Sequence, residues 1–169
     1  LSNQLEIINQ YANDGRANQG TVVYRQFEAG RSQTALMVVR SGGIDPATGN
    51  EIYIKRNGEM TFEYNHNDKI ECGDMKPKIE GNVNTNLNWK GFNLYMLFKY
   101  QYGGKIYNAT LASKVEGVNP LKNADKRVLY DRWKEPGDHA KFRRIDDTSA
   151  PYQTTRLVFD NNLLALQSV

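Results

Sequence analysis

The stretch that decides the fold is residues 79–102, which read IEGNVNTNLNWKGFNLYMLFKYQY. In its first half the apolar residues occupy odd positions, and the polar residues, four of them asparagine, occupy even positions. After Lys90 and Gly91 the apolar residues move to even positions, and the alternation becomes stronger. This pattern predicts two β-strands joined by a short turn, each with one apolar and one polar face.

The length of these two strands is unusual, because strands of soluble domains average about 5 or 6 residues. Each has about 11 residues, which at roughly 3.3 Å per residue and a tilt near 45° covers about 25 Å of height. That height matches the hydrocarbon layer of a membrane. Aromatic residues lie at both ends, as the interfacial girdles of outer-membrane barrels require: Trp89 and Phe92 at the turn, Tyr100 and Tyr102 opposite. The sequence therefore predicts a transmembrane β-hairpin over 78–103.

The two faces of this hairpin have different expected surroundings. The apolar face is expected to contact lipid through Val83, Leu87, Trp89, Phe92, Leu94, Met96, Phe98 and Tyr100. The polar face is expected to line the barrel lumen, as a possible path for substrate, through Asn82, Asn84, Asn86, Asn88, Asn93, Tyr95, Lys99 and Gln101. The alternative for the polar face is the solvated side of a soluble sheet.

Composition excludes several classes of protein. The chain has 169 residues, and its longest uninterrupted apolar runs, such as residues 94–98, are far shorter than the roughly 20 residues of a membrane-spanning helix. The net charge is only +3 and the basic residues are scattered, so nucleic-acid binding has little support. A single cysteine, Cys72, cannot form an internal disulfide.

The flanking sequence is expected to form loops with short strands. Residues 1–77 are predicted to be an extracellular loop region, with a turn at 42–50, a primed turn at Asn57-Gly58 and a polar loop at 65–76. Residues 104–155 are predicted to be a long extracellular loop with a short helix within 123–133, and 156–169 to begin a returning barrel strand. Strands are expected at 22–27, 35–39, 51–55 and 60–64.

Chemical motifs are scarce. No nucleophile elbow, phosphate loop or dinucleotide fingerprint is present, so no enzymatic activity and no cofactor is expected. His66 and His139 lack neighbouring ligand patterns, and no metal site is expected. Four aromatic residues of the loops either contact sugar rings or a partner protein or, as is commoner, pack to hold the loop together: Tyr107, Tyr130, Trp133 and Tyr152.

A series of short motifs resembles the SusC-like (SusC/RagA) TonB-dependent outer-membrane transporters of Bacteroidetes. The motifs follow the family's order from about residue 30 to residue 166, and their combination is specific although each alone is weak. They are GIDPATG at 43–49, EIY at 51–53, TFEY at 61–64, CGD at 72–74, KPK at 76–78, WKGF at 89–92, YGGKIYN at 102–108, RWKEPGD at 132–138 and DNN at 160–162.

The resemblance implies an all-β fold, antiparallel strands from the C-terminal part of a 22-stranded transmembrane barrel, and thus a chain that is one portion of a transporter. It also implies import of oligosaccharides or peptides, energised through TonB, together with a SusD-like surface lipoprotein and the remaining barrel and plug. From the residues alone, a soluble secreted β-sandwich that binds glycans remains the alternative. In that case a second sheet would bury the apolar face.

Overall fold

The computed structural model describes residues 30–118, 121, 123–147 and 153–168. The strand expected at 22–27 and the loop residue Tyr152 lie outside these residues. The described chain is mostly antiparallel β, which confirms the all-β expectation to that extent. Its strands are β1 Ala35–Ile44, β2 Glu51–Ile54, β3 Met60–Thr61, β4 Lys69–Asp74, β5 Ile79–Trp89, β6 Phe92–Tyr102, β7 Lys105–Tyr107, β8 Val158–Asp160 and β9 Leu163–Ser168.

Strands β5, β6 and β9 form one sheet, which we call the hairpin sheet. β5 and β6 pair without a bulge from Ile79 opposite Tyr102 to Trp89 opposite Phe92, as the alternating sequence predicts. Lys90 and Gly91 both have positive φ, at 45° and 83°. Two successive positive φ values are typical of a type I′ turn, whose twist suits the flanking strands. β9 runs antiparallel along the part of β6 that is remote from this turn.

The other elements form a second unit, which we call the loop body. Its main sheet has the strand order β3-β2-β1-β4, and the ribbon β7-β8 packs beside it. Residues 35–39 of the central strand β1 are all buried, because both sides of the strand are covered. The core of the loop body joins residues far apart in sequence: Leu36, Tyr107, Leu111, Ala112, Val115, Val128, Phe142 and Leu157.

Four expectations for residues 42–76 are wrong. The strand expected at 60–64 is limited to Met60–Thr61. The turn predicted at 42–50 is shorter, because β1 continues to Ile44 with a bulge near Gly42. The polar loop predicted at 65–76 contains β4, which pairs with β1. Asn57-Gly58 does not form a primed turn: only Gly58 has positive φ, and its N–H donates to the carbonyl of Lys55. A type I turn followed by a left-handed glycine has this geometry.

The helices also differ from expectation. Within 123–133 only α2, Arg127–Tyr130, is helical, and it buries Val128 but leaves Leu129 63% exposed. A longer helical segment at 109–116 was missed: α1, Ala109–Leu111, continues as a π-helix over Ala112–Glu116. The Asn108 side chain caps α1 by accepting the Leu111 N–H. Short 3-10 turns lie at His66–Asp68 and Thr155–Leu157.

The predicted returning strand is divided between the two units. Val158–Asp160 pairs with β7 in the loop body, and Leu163–Ser168 pairs with β6 in the hairpin sheet. Asn161 and Asn162 lie between them. Among the described residues, no helix is both long enough and apolar enough to cross a membrane.

Candidate functional site

The candidate site is the hairpin sheet, one face of which is apolar across all three strands. Val83 lies opposite Phe98, Leu87 opposite Leu94, and Trp89 opposite Phe92. Many of these side chains are more than half exposed, including Val83, Leu87, Trp89 and Phe92. A contiguous apolar surface of this kind indicates contact with lipid or with another protein.

The strand β9 extends this apolar face. Leu164 lies opposite Tyr100 and Leu166 opposite Phe98, so both share the face, and they are 74% and 52% exposed. Neither residue was among the predicted lipid-facing set. The leucine-rich segment 163–166 indicates a strand in the sequence, but which of its side chains lie on the apolar face follows only from its register with β6. Within the described residues no second sheet covers the apolar face.

The opposite face brings together the eight residues predicted to line a lumen. Asn82 lies opposite Lys99, Asn86 opposite Tyr95, and Asn88 opposite Asn93. Gln101 shares this face near the end that joins the loop body, and its side chain donates to the Asn161 carbonyl at 3.4 Å. Two apolar residues of β9, Leu163 and Ala165, also lie on this side. That the face lines a lumen stays a prediction.

Aromatic side chains occupy both ends of the sheet. At the turn, the Lys90 Nζ lies 5.2 Å from the centroid of the Trp89 ring, within the range of a cation–π contact. At the opposite end, the Tyr100 ring lies across Gly81 on the neighbouring strand. A Cβ at Gly81 would come 2.7 Å from the Tyr100 Oη, so glycine provides room for that ring.

The loop aromatics have different environments. Tyr107 is buried in the core, and this burial, reinforced by the Glu51 carboxylate, raises the pKa of its hydroxyl well above the usual range. Trp133 packs against the turn at 45–50, and its Nε1 donates to the Pro46 carbonyl at 2.9 Å. Tyr130 is 76% exposed and is available to a partner or a ligand. Packing thus explains two of these residues.

Two of the motifs that carry the family resemblance, GIDPATG and RWKEPGD, meet in space. The Gly137 N–H donates to the Pro46 carbonyl at 2.8 Å, the same oxygen that accepts from Trp133. The Trp133 ring lies over Gly49, where a Cβ would come within 2.5 Å of the ring. Asp45 closes the turn by accepting from the Thr48 hydroxyl, which lowers the pKa of that carboxyl.

A buried ionic cluster holds the loop body together, and the sequence analysis did not identify it. Arg156 Nη2 lies 3.0 Å from Glu51 Oε2 and 2.8 Å from Glu116 Oε1. Arg143 Nε also lies 2.8 Å from Glu116 Oε1. Burial raises the pKa of Glu116, but the charges of Arg156 and Arg143 outweigh burial and hold it below its ordinary value. We assign the cluster a structural role, since each of its charged side chains has an oppositely charged partner.

Arg132 makes a second polar contact within the loop body. Its guanidinium donates to four backbone carbonyls, those of Val115, Glu116, Arg143 and Arg144, and thereby joins the π-helix to residues 143–144. In the described part of the chain, no group of three or more His, Cys, Asp or Glu side chains could hold a metal ion.

Comparison with known proteins places the fold. No model of a known protein family matches the chain, and no curated protein matches it. Solved structures that match include the RagAB peptide importer in its 'closed-closed' state, at a TM-score of 0.62, and in its 'open-open' state, at 0.64. A structure of the RagAB peptide transporter matches at 0.63. Each is 22% identical to this chain, and the match covers 78% of this chain and 15% of the matched chain. The described chain therefore has the fold of one section of a RagAB transporter chain.

Proposed function

We propose that this chain is a section of the wall and outer loops of a TonB-dependent outer-membrane importer. The observation that carries the proposal is the hairpin sheet, whose long strands separate an apolar face from a polar face over their full length. The fold likeness to RagAB peptide importer structures supports it. The proposed cargo classes are peptides, as for RagAB, and oligosaccharides, as the family resemblance implies.

The physical basis is the cost of an unpaired backbone in lipid. Only helices and closed barrels satisfy every N–H and C=O group inside a bilayer, and among the described residues this sheet has three strands and open edges. In our proposal further strands of a 22-stranded barrel pair with those edges. The Lys90-Gly91 turn then faces the periplasm and the loop body lies outside the cell, because outer-membrane barrels have short periplasmic and long external connections.

The polar face forms part of the passage in this proposal. Its asparagine, glutamine and tyrosine side chains offer neutral donors and acceptors, and Lys99 adds a single positive charge. Such a surface can exchange hydrogen bonds with water, a plug or a passing substrate. No catalytic chemistry is proposed, because the proposed role is transport of a substrate across the outer membrane. A SusD-like lipoprotein is the proposed partner, and the exposed Tyr130 lies on a loop that it could contact.

The test is uptake by the full-length transporter that contains this section, in its native host. Asn86→Trp places a large ring on the polar face, and the matched control Leu87→Trp places the same ring on the apolar face one residue away. We expect both proteins in the outer-membrane fraction, with uptake of labelled peptides or oligosaccharides reduced only by Asn86→Trp. Recovery of the unsubstituted protein in the aqueous fraction, or equal uptake by all three proteins, would contradict the proposal.

A further inference from the structure

In the part of the chain that the structure describes, three segments cross between the hairpin sheet and the loop body at one place, which we call the junction. They are the link from β4 to β5, the link from β6 to β7 through Gly103 and Gly104, and the link from β8 to β9 through Asn161 and Asn162. The strand order is kept across the junction, because β6 pairs with β9 below it and β7 pairs with β8 above it.

Hydrogen bonds bridge the two inner crossings where the strand ladder is interrupted. The Gly103 N–H donates to the Asn162 side-chain Oδ1 at 2.9 Å, and the Asn161 N–H donates to the Gly104 carbonyl at 2.8 Å. The first of these replaces a missing backbone acceptor with a side-chain acceptor. A freely rotating hinge would leave such groups to water.

Close packing restrains the third crossing. The Lys78 N–H donates to the Tyr102 carbonyl at 2.9 Å, and the Lys78 side chain runs over Gly103, where a Cβ would lie 3.1 Å from three of its carbons. Gly104 faces the Met75 carbonyl, 3.2 Å from the position of an added Cβ. All three crossings are therefore held by contacts specific to this geometry.

We propose that Asn162 is a positioning residue that fixes the loop body on the hairpin sheet, so that the two move as one rigid part of the transporter. The inference rests on the proposed function. The RagAB importer is matched almost equally well in its 'closed-closed' and 'open-open' states, as expected where a segment keeps its fold in both. Opening and closing of the mouth then takes place outside this segment.

The experiment measures a distance across the junction in the full-length transporter, reconstituted in lipid nanodiscs. Spin labels are attached at Met60→Cys in the loop body and Lys90→Cys at the turn of the hairpin sheet, with Cys72→Ser to remove the thiol of this segment. Both labelled positions are exposed. Pulsed electron paramagnetic resonance is recorded with and without the transported peptide or oligosaccharide. We expect a single narrow distance distribution that is the same in both conditions.

The neighbouring asparagines supply a matched pair of variants. Asn162→Ala removes the acceptor of the Gly103 N–H, whereas Asn161→Ala leaves the backbone bond to Gly104 in place. No side-chain hydrogen bond of Asn161 exists within the described residues. We expect only Asn162→Ala to broaden the distribution and to speed hydrogen exchange at Gly103, by about fivefold for one lost hydrogen bond. Asn162→Asp keeps the acceptor Oδ1 and should restore the narrow distribution.

Two results would overturn the positioning role: a distance in the unsubstituted junction that shifts or splits when substrate binds, or equal effects of the two alanine variants. The same cysteine variant is tested for outer-membrane location and uptake in the native host before it is purified and labelled. A protein that fails those tests contradicts the proposed function, whereas a mobile junction in a working transporter contradicts the positioning role alone.

Discussion

Replacing Met96 with arginine tests the facing of the hairpin sheet at its most sensitive point. Met96 lies near the middle of β6, opposite Thr85 on the apolar face, and so nearest the expected membrane midplane. An arginine on the lipid face at the midplane of a barrel costs about 2 to 4 kcal/mol. Since about 1.4 kcal/mol is a tenfold change in an equilibrium constant, this corresponds to a change of roughly 30- to 700-fold.

The adjacent residue provides the control. Leu97 lies opposite Asn84 on the polar face, and its replacement by arginine puts the same charge at the same depth but toward water. We expect a loss within about 1 kcal/mol, as for a substitution outside a packed core. The free energy of unfolding of both variants is measured by denaturant titration of the full-length protein folded in lipid vesicles. Equal losses, or a larger loss for Leu97→Arg, would refute the assigned facing.

Three further predictions concern the loop body of the full-length protein. Trp133→Phe keeps a ring over the turn but loses the hydrogen bond to the Pro46 carbonyl, and should destabilise the turn by about 1 kcal/mol, measured as faster hydrogen exchange at 45–50. Arg156→Met leaves the buried Glu51 carboxylate without its counter-charge and should cost about 3 to 5 kcal/mol, seen as loss of protease resistance. The pKa of Glu116 is lowered in the folded state, so its stabilising effect is complete above the unfolded value near 4.5 and is lost as the pH falls below that value. Amide protection, corrected for intrinsic exchange, should therefore decrease as the pH falls below 4.5. The decrease should be smaller in Glu116→Gln.

Each of these predictions has a contrary outcome. Unchanged exchange at 45–50 in Trp133→Phe would show that the hydrogen bond contributes nothing. For Arg156→Met the control is Arg127→Met, which breaks an exposed pair with Asp125 and should have little effect. Similar protease sensitivity in the two would argue against the buried cluster as the stabilising feature. Identical pH profiles with and without the Glu116 carboxylate would contradict the role given to that residue.

The hairpin could be predicted because its information is local. A period of two over residues 79–102 determines strand type and facing, and Lys90-Gly91 marks the point where the apolar residues move from odd to even positions. Lys90 and Gly91 both have positive φ, a conformation that glycine adopts readily. The register of β5 with β6 then follows from the position of the turn.

The strand β4 could not be predicted, because its stabilisation is not local. Its sequence, KIECGD, carries three charged residues and a glycine and lacks an apolar period. It forms by pairing with the buried strand β1, and Lys69 is buried along with it. Removal from water lowers the pKa of the Lys69 ammonium. Only tertiary contact explains a strand with this composition.

The ionic cluster and the contact between the 45–50 turn and Trp133 were missed for the same reason. Arg156 and Glu51 are separated by 105 positions in sequence, and Trp133 and Pro46 by 87. Neither pair has a sequence spacing that indicates contact. In the sequence, the two motifs that contain Pro46 and Trp133 are separate pieces of a family resemblance, and in the structure they form one packed unit.

The most direct test of the central claim is a cysteine accessibility scan of residues 83–88 in the full-length protein, in intact outer membranes with Cys72 replaced by serine. A water-soluble maleimide is applied to one cysteine variant at a time. The proposed membrane-spanning sheet predicts labelling that alternates with a period of two: rapid at Asn84, Asn86 and Asn88, and slow at Val83 and Leu87. Uniform labelling along the strand, or rapid labelling at Val83 and Leu87, would contradict it.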